Sequence, residues 1–481
     1  MALLHYFHLI YLNTLAVSAS TSTHANKLKL ITAIIALLTY KYRSHAVGAR
    51  RRNDLKEPKG AVPFLGHTLL MASIPGTELL DAFFLKNYRE LGPVWSISLP
   101  GIGRMIQGDT PEMVEHVNKA NFAAAKAIRE HSNEGLNREV QKILDYFDKA
   151  AASGSEVDFH ELMHAFSLDA FGSWTFGESF GCLENMGRKV PFAEALNELL
   201  EISSGRLVDP IWRLRESISP VGTNVRQNKA VMRQHIHRII AKHREQDWSD
   251  PNKKSNLLMM YMEAKGVDGQ PYSDELLVDT MMTLLVAGRD TTSEAMSWMI
   301  YLLHREEADP SILKMVLAEI DDVLGDNPPT HETHKKLKFV EACLYETLRL
   351  FPTLPRNLRR CIKDDILPDG TKIYAGDYFT WSYYAMGRSE RIWGSEVETF
   401  KPSRWLAGER SASMNKFNPF HLGPRQCIGQ GFAIVQAVTT VALMLKNFEV
   451  TLVEPGKLPV YGVGITLPMA CGLPIRVARR T

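Results

Sequence analysis

Residues 417–431 read FNPFHLGPRQCIGQG, and the rest of the chain can be organised outward from them. Cys427 stands between Gly423 and Gly429, directly before a run from about Gln430 to Lys446 that reads as helix. A thiolate at a helix start is stabilised by unpaired amides and by the positive end of the helix dipole. Gly423 and Gly429 remove side chains where a flat, bulky group must approach the backbone. Arg425, two residues from the sulfur, is placed to pair with an anion. Cys182, Cys343, Cys361 and Cys471 have no such surroundings and read as buried, inert thiols. Five cysteines without a close pair make neither a disulfide framework nor a CxxC site, and they fit a reducing compartment.

A thiolate with a cation nearby and room for a flat apolar partner is what thiolate ligation of a haem iron requires. Upstream, Ser273 to Asp309 contains no Pro and only one Gly, Gly288. Ser273 can cap, and Asp274 and Glu275 fill the first turn, so this segment predicts a helix of about thirty residues. Gly288 is its weak point, where the backbone can bulge and make room for a diatomic ligand. Asp290 and Thr291 then place an acid and a hydroxyl side by side, a pair able to relay protons. A surface Asp beside back-bonded Thr residues is the plainer reading of those positions taken alone. Glu346 and Arg349, at i and i+3, share a helix face. On a surface that pair would contribute under ~1 kcal/mol.

The remaining segments are mostly helical. Leu91 to Ile106 has short β-like runs, and Asp109-Thr110-Pro111-Glu112 is a helix start. Ile366 to Tyr384 returns to strand character, and a β-rich tail with Gly462, Gly464, Pro468, Gly472 and Pro474 closes the chain. The fold class is α+β, mainly α, with small sheets. Nothing after Pro63 reads as a linker, so residues 58–481 form one large body. At 481 residues, with 45% hydrophobic and 23% charged residues, the composition is globular and excludes wholesale disorder. Lys and Arg number 56 against 54 Asp and Glu, so there is no electrostatic case for nucleic acid.

The N-terminus stands apart. Residues 1–26 carry no charged side chain, Lys27 and Lys29 interrupt, and Leu30 to Tyr40 is a second apolar run of 11 residues. Lys41, Arg43, Arg50, Arg51 and Arg52 follow. A spanning helix needs ~20 apolar residues, so residues 1–57 read as a membrane anchor of one span, or two imperfect ones, with a basic linker. The basic cluster belongs on the cytosolic side. A cleaved signal peptide is the competing reading, and the position of the cluster after the apolar runs argues against it. Pro58 to Pro63 cannot be helix and makes a stiff strut or an ordinary loop into the body.

Phe420, Gly423, Arg425, Cys427 and Gly429 match Phe-x-x-Gly-x-Arg-x-Cys-x-Gly, five fixed positions in ten. In this the chain resembles the cytochrome P-450 superfamily, the haem-thiolate monooxygenases. The resemblance covers roughly residues 55–478 and implies haem b on those five residues, with Cys427 as the metal ligand. It implies that Ala287-Gly288-Arg289-Asp290-Thr291-Thr292 is the oxygen-activation motif, with Asp290 and Thr291 catalytic. It implies that Glu346, Arg349 and a third member, Arg404, form a buried structural triad. By motif position Val286, Ala287, Thr291, Leu354 and Pro355 would face the cavity. Electrons would come from NADPH through a separate reductase, and the body would sit on the cytosolic face of the endoplasmic reticulum membrane.

Asp365 to Gly394, with its Tyr384 to Arg388 run YAMGR, is similar to the clan of fatty-acid and alkane hydroxylases. That clan implies a fatty acid or long acyl substrate hydroxylated at or near its terminal carbon, with sterols, terpenes or xenobiotics as the runner-up. In one place the chain departs from the family. No Trp lies between Trp95 and Trp174, so the Trp-x-x-x-Arg helix that contacts the haem propionates is missing, an apparent deletion near residues 122–130. Arg129 and Arg138 could substitute. The gap leaves a haem-binding pseudoenzyme open, and a haem-free, membrane-associated helical protein would require the motifs to be coincidental.

Overall fold

The structure is a computed structural model. It describes residues 22–42, 45–100, 102–119, 133–209, 211–245, 256–266, 269–325, 333–406, 413, 416–462 and 464–480. The apolar run Ala2 to Ala19, the apparent deletion at 122–130 and Arg129 lie outside the described residues. In chain order the main elements are α1 (Ser22–Lys41), β1 (Val94–Leu99), β2 (Gly103–Gly108), α2 (Pro111–Lys119), α3 (Asn133–Ser153) and β3 (Val157–Asp158). There follow α4 (Phe159–Phe176), α5 (Pro191–Val208), α6 (Pro220–Glu245), α7 (Asp274–His304), α8 (Pro310–Leu324) and α9 (Lys338–Leu350). Next come β4 (Arg356–Arg360), β5 (Asp365–Ile366), β6 (Lys372–Ile373) and β7 (Tyr378–Ser382); α10 (Gln430–Asn447), β8 (Phe448–Leu452) and β9 (Pro474–Arg479) close the chain.

These elements fall into two compact units. The first comprises Met1–Pro75, Asp81–Gly108 and Leu358–Thr380. Its sheet runs β1-β2-β7-β4. β1 and β2 are antiparallel, from Val94 opposite Gly108 to Leu99 opposite Gly103, and β2 pairs in parallel with β7. Trp95, Ser96, Ile97 and Ser98 are all buried, so β1 is covered on both faces. Pro58 to Pro63 forms no helix, and the chain there is held by isolated bridges, Val62 to Gly66 and Ala46 to Phe64. The apolar run Leu30 to Tyr40 lies in α1. Among the described residues no helix is long and apolar enough to cross a membrane, because Lys27 and Lys29 fall within the 20 residues of α1.

The second unit comprises Gly76–Leu80, Asp109–Asn357 and Trp381–Thr481, and it is mainly helical. At its first helix the hydroxyl of Thr110 caps, accepting from Met113 N at 3.3 Å. Asp109 instead accepts from Ser382 N at 2.7 Å. The centre of the unit is α7, 31 residues long, with Ser273 Oγ accepting from Leu276 N at 3.3 Å. Helix α4 lies against it, and its N-cap Asp158 accepts from the amides of His160 and Glu161. They meet at Gly288, where an added Cβ would run into Cδ2 and Cε2 of Phe171. Helix α7 runs through Gly288 as unbroken α-helix. The glycine's missing side chain is therefore space that the Phe171 ring uses, where the sequence suggested a bulge. The small sheet β3-β9-β8 closes the unit.

Candidate active site

The cysteine loop is a closed turn. Cys427 N donates to Phe420 O at 2.8 Å, and Gln426 N to Gly423 O at 3.0 Å. Gly423 has φ 68°, a left-handed conformation that suits a residue without a Cβ. Cys427 lies two residues before Gly429, the N-cap of α10, and is exposed, as is Arg425. Close packing pushes the Cys427 thiol above its usual range, while hydrogen bonds from the amides of Gly429 and Gln430 pull it back toward thiolate. Solvent access to the residue and crowding around it coexist here, and the exposure is what matters for a ligand. Helix α10 is deeply buried from Gln436 onward, yet Phe432, Ala433, Ile434 and Val435 are only half-buried. Phe432 stacks on Trp174 of α4 at 4.3 Å.

A cavity of about 840 Å³ lies along α7. Val286, Ala287, Asp290, Thr291 and Leu354 line it, with Val190, Ala193 and Leu200 from the other side. Pro355 does not belong to this wall. It is buried, and its carbonyl accepts from Tyr384 N at 3.3 Å and Ser382 Oγ at 3.4 Å, which ties it to the turn after β7. The cysteine loop is not part of the wall either. Asp290 is buried and not on a helix surface. Burial alone would raise its pKa, but hydrogen bonding to His164 and the charge of Arg289, whose Nη1 donates at 3.0 Å, hold it below the usual carboxylate range. Thr291 Oγ1 donates to Ala287 O at 2.7 Å, the back-bond typical of a helical threonine.

Glu346 and Arg349 are wholly buried. Arg349 donates to both carboxylate oxygens, Nε to Oε2 at 2.9 Å and Nη2 to Oε1 at 2.8 Å. It also donates to the carbonyls of Gly387 (2.5 Å), Val397 (2.7 Å) and Thr399 (3.1 Å). Glu346 accepts further from Trp405 Nε1 at 2.8 Å and Lys401 N at 2.9 Å. Arg404 Nε stands 3.4 Å from Glu346 Oε1. One helical turn thus ties down the segment that leads to the cysteine loop.

A family model described as "Cytochrome P450" matches residues 121–461. The chain belongs to the cytochrome P450 family. "Cytochrome P450 monooxygenase cyp1" of Mycosarcoma maydis is 28% identical over 92% of this chain and 78% of its own. "Cytochrome P450 94B1" of Arabidopsis thaliana is 32% identical over 74% of this chain and 71% of its own. "Cytochrome P450 86B1" of the same plant is 30% identical, covering 75% and 67%. This cytochrome P450 is accordingly an oxidoreductase, a haem-dependent monooxygenase, and the family implies a haem iron with a cysteine thiolate ligand.

The residues present fit that group. The exposed thiol faces two amide donors, which favour its charged form. A Cβ on Gly429 would meet only Cys427 Sγ, at 3.9 Å, so the space beside the sulfur is open. The half-buried start of α10 offers the apolar surface that a flat macrocycle would cover.

Two features of the site went unread in the sequence. Arg356 is half-buried, and desolvation pushes its pKa down to about 10, against the charge of Asp109. The next residue, Asn357, bonds to His421 of the cysteine loop at 2.6 Å. In the sequence nothing marks Arg356 among its neighbours Arg359 and Arg360. His160, His164 and Glu294 also share the cavity wall, and the i, i+4 histidine spacing was the available signal. Arg138 is committed elsewhere, with Nη2 on Ser173 Oγ at 3.2 Å and Nε 3.4 Å from Glu139.

Proposed function

We propose that this protein is a membrane-anchored monooxygenase that hydroxylates a fatty acid or other long-chain acyl substrate at or near its terminal carbon. The observation that carries the reading is the Cys427 loop, an accessible sulfur between two amide donors beside a half-covered apolar helix start. Cys427 would ligate the iron of haem b through its thiolate, and Phe420, Gly423, Arg425 and Gly429 would shape the space around it. Arg425 and the half-buried Arg356 would be the cations for the two propionates. Bound there, the haem iron supplies oxygen activation and insertion of one oxygen atom of O2 into an unactivated C–H bond. Asp290 and Thr291 hold and pass protons from the cavity side. Val286, Ala287 and Leu354 give an alkyl chain an apolar wall. Arg188 and Lys189, on the same cavity, suit a carboxylate head group. Glu346, Arg349 and Arg404 keep the approach to the loop in place.

Residues 1–57 act as anchor and basic linker, and residues 58–481 as the catalytic body on the cytosolic face of the endoplasmic reticulum. An NADPH-dependent reductase supplies the electrons. The acyl substrate rests on the likeness of residues 365–394 to the fatty-acid hydroxylase clan. The test is a reduced, carbon monoxide-bound difference spectrum, followed by turnover with reductase and NADPH. Fatty acids of graded length are compared with a sterol and a terpene. The long-wavelength band and turnover of fatty acids support the reading, and preferential turnover of the sterol or terpene sinks its substrate half. The absence of a Trp between Trp95 and Trp174 favours one second reading, a haem-binding pseudoenzyme. A full thiolate spectrum without turnover of any substrate would select it. Deleting residues 1–52 should release the protein from membranes with its spectrum intact, and protease protection of the body in sealed vesicles would reverse the orientation.

A further inference from the structure

None of the roles assigned to the cavity uses His160, His164 or Glu294, although all three line it. His160 and His164 are four residues apart on α4, so their rings leave the same face of the helix, with centroids 4.5 Å apart. Both aim Nε2 at one carboxylate, that of Glu294 on α7, which has no exposed surface at all. A bare carboxylate in such a place costs several kcal/mol unless a positive charge faces it.

The distances are those of a ligand set. His160 Nε2 is 3.1 Å from Glu294 Oε1, His164 Nε2 is 3.0 Å from the same oxygen, and the two nitrogens are 3.2 Å apart. Ligands about 2.0–2.1 Å from a zinc ion stand roughly 3.3 Å apart in a tetrahedron and roughly 2.9 Å apart on an octahedral face. The observed triangle is nearly equilateral and lies between those limits.

Protons alone satisfy this arrangement poorly. The amide of Met469 lies 3.2 Å from His160 Nε2, a hydrogen bond that the nitrogen accepts only if it keeps its lone pair. The same nitrogen then stands 3.0 Å from Glu294 Oε2 with no proton between them. A cation there would take the single lone pair of His160 Nε2 in place of the Met469 amide and put a positive charge between that nitrogen and the carboxylate. The second ring nitrogen of His164, Nδ1, points toward Asp290 Oδ1 at 3.6 Å, the carboxylate behind an imidazole that commonly orients a metal-bound histidine.

We propose that His160, His164 and Glu294 bind one divalent transition-metal ion, zinc by the character of the ligands. Two imidazoles and one carboxylate are a known zinc set, and the cavity side leaves the remaining coordination position to water. The ion joins α4 to α7 one helical turn from Asp290. It is separate from the haem and does not depend on Cys427.

The test uses the full-length haem-loaded protein, dialysed against a chelator that leaves the haem in place. Zinc is titrated in competition with a chromophoric chelator, and cobalt(II) is added separately to read its visible ligand-field bands. One equivalent of zinc should bind, with cobalt bands of a low-symmetry nitrogen–oxygen site. Glu294→Gln should weaken zinc binding by about a hundredfold, and so should His160→Gln, which alters a less buried position should the first variant fold poorly. The carbon monoxide spectrum of each variant reports folding independently of zinc. Failure of the wild-type protein to take up an equivalent of zinc overturns the proposal. So does an affinity unchanged in both folded variants, which would place the ion on other histidines.

Discussion

Replacing Arg349 by Ala removes five hydrogen bonds from a site with no solvent. Two are the paired contacts to Glu346, and three go to the carbonyls of Gly387, Val397 and Thr399. Glu346 keeps donors from Trp405 and Lys401, so its charge is not left bare. The three carbonyls lose a charged donor and gain no water. Breaking one partner of a buried pair costs about 3–5 kcal/mol when the other charge is left bare, and the donors that Glu346 keeps place this site near the bottom of that range. Measured against a total stability of about 5–15 kcal/mol, the loss is large. The assay is urea unfolding at matched haem content, followed by far-ultraviolet circular dichroism. The double variant Glu346→Ala/Arg349→Ala should cost less than the sum of the two single changes, because it leaves no buried charge behind. A cost under about 1 kcal/mol for Arg349→Ala, the value of an exposed pair, would refute the reasoning.

Cys427→Ser should abolish both the long-wavelength carbon monoxide band and turnover; a variant retaining both would remove Cys427 from the iron. Thr291→Ala should leave substrate affinity nearly unchanged while more of the reducing equivalents appear as hydrogen peroxide, and a large loss of affinity with intact coupling would assign Thr291 to binding instead. Gly288→Ala should destabilise by about 1–3 kcal/mol through overlap with Phe171. Phe171→Leu in the same chain should recover part of that loss, and an unchanged midpoint for Gly288→Ala alone would show that the ring moves freely. Stability should also fall as pH drops below 6.5, the ordinary histidine value, because burial lowers the pKa of His67 and His243 in the fold. The unfolded chain then takes up protons that the folded one refuses, so the contribution is complete above 6.5 and shrinks toward the folded pKa. His243 donates from Nδ1 to Ile239 O at 3.0 Å and accepts at Nε2 from Asn256 at 2.9 Å, the pattern of a neutral ring. Unfolding free energies from pH 7.5 to 5.5 should slope less in His243→Gln, and an equal slope would exclude His243 as a source.

What the sequence determined by itself was local. The Cys427 loop, the capped start of α7 at Ser273 and the i, i+3 spacing of Glu346 and Arg349 are short-range patterns. Backbone geometry makes such patterns readable, because a helix repeats every 3.6 residues and a cap lies beside the turn it caps. The family followed from five residues within ten. Tertiary structure decided the values of those positions. Glu346 and Arg349 are a buried pair only because residues 387–405 fold over them. Gly288 is filled by Phe171, more than a hundred residues earlier in the chain, and Pro355 is tied to the turn after β7. Glu294 meets His160 and His164 across 134 and 130 residues. No periodicity carries information over such distances; packing of one helix on another does, and it is set by the whole core at once.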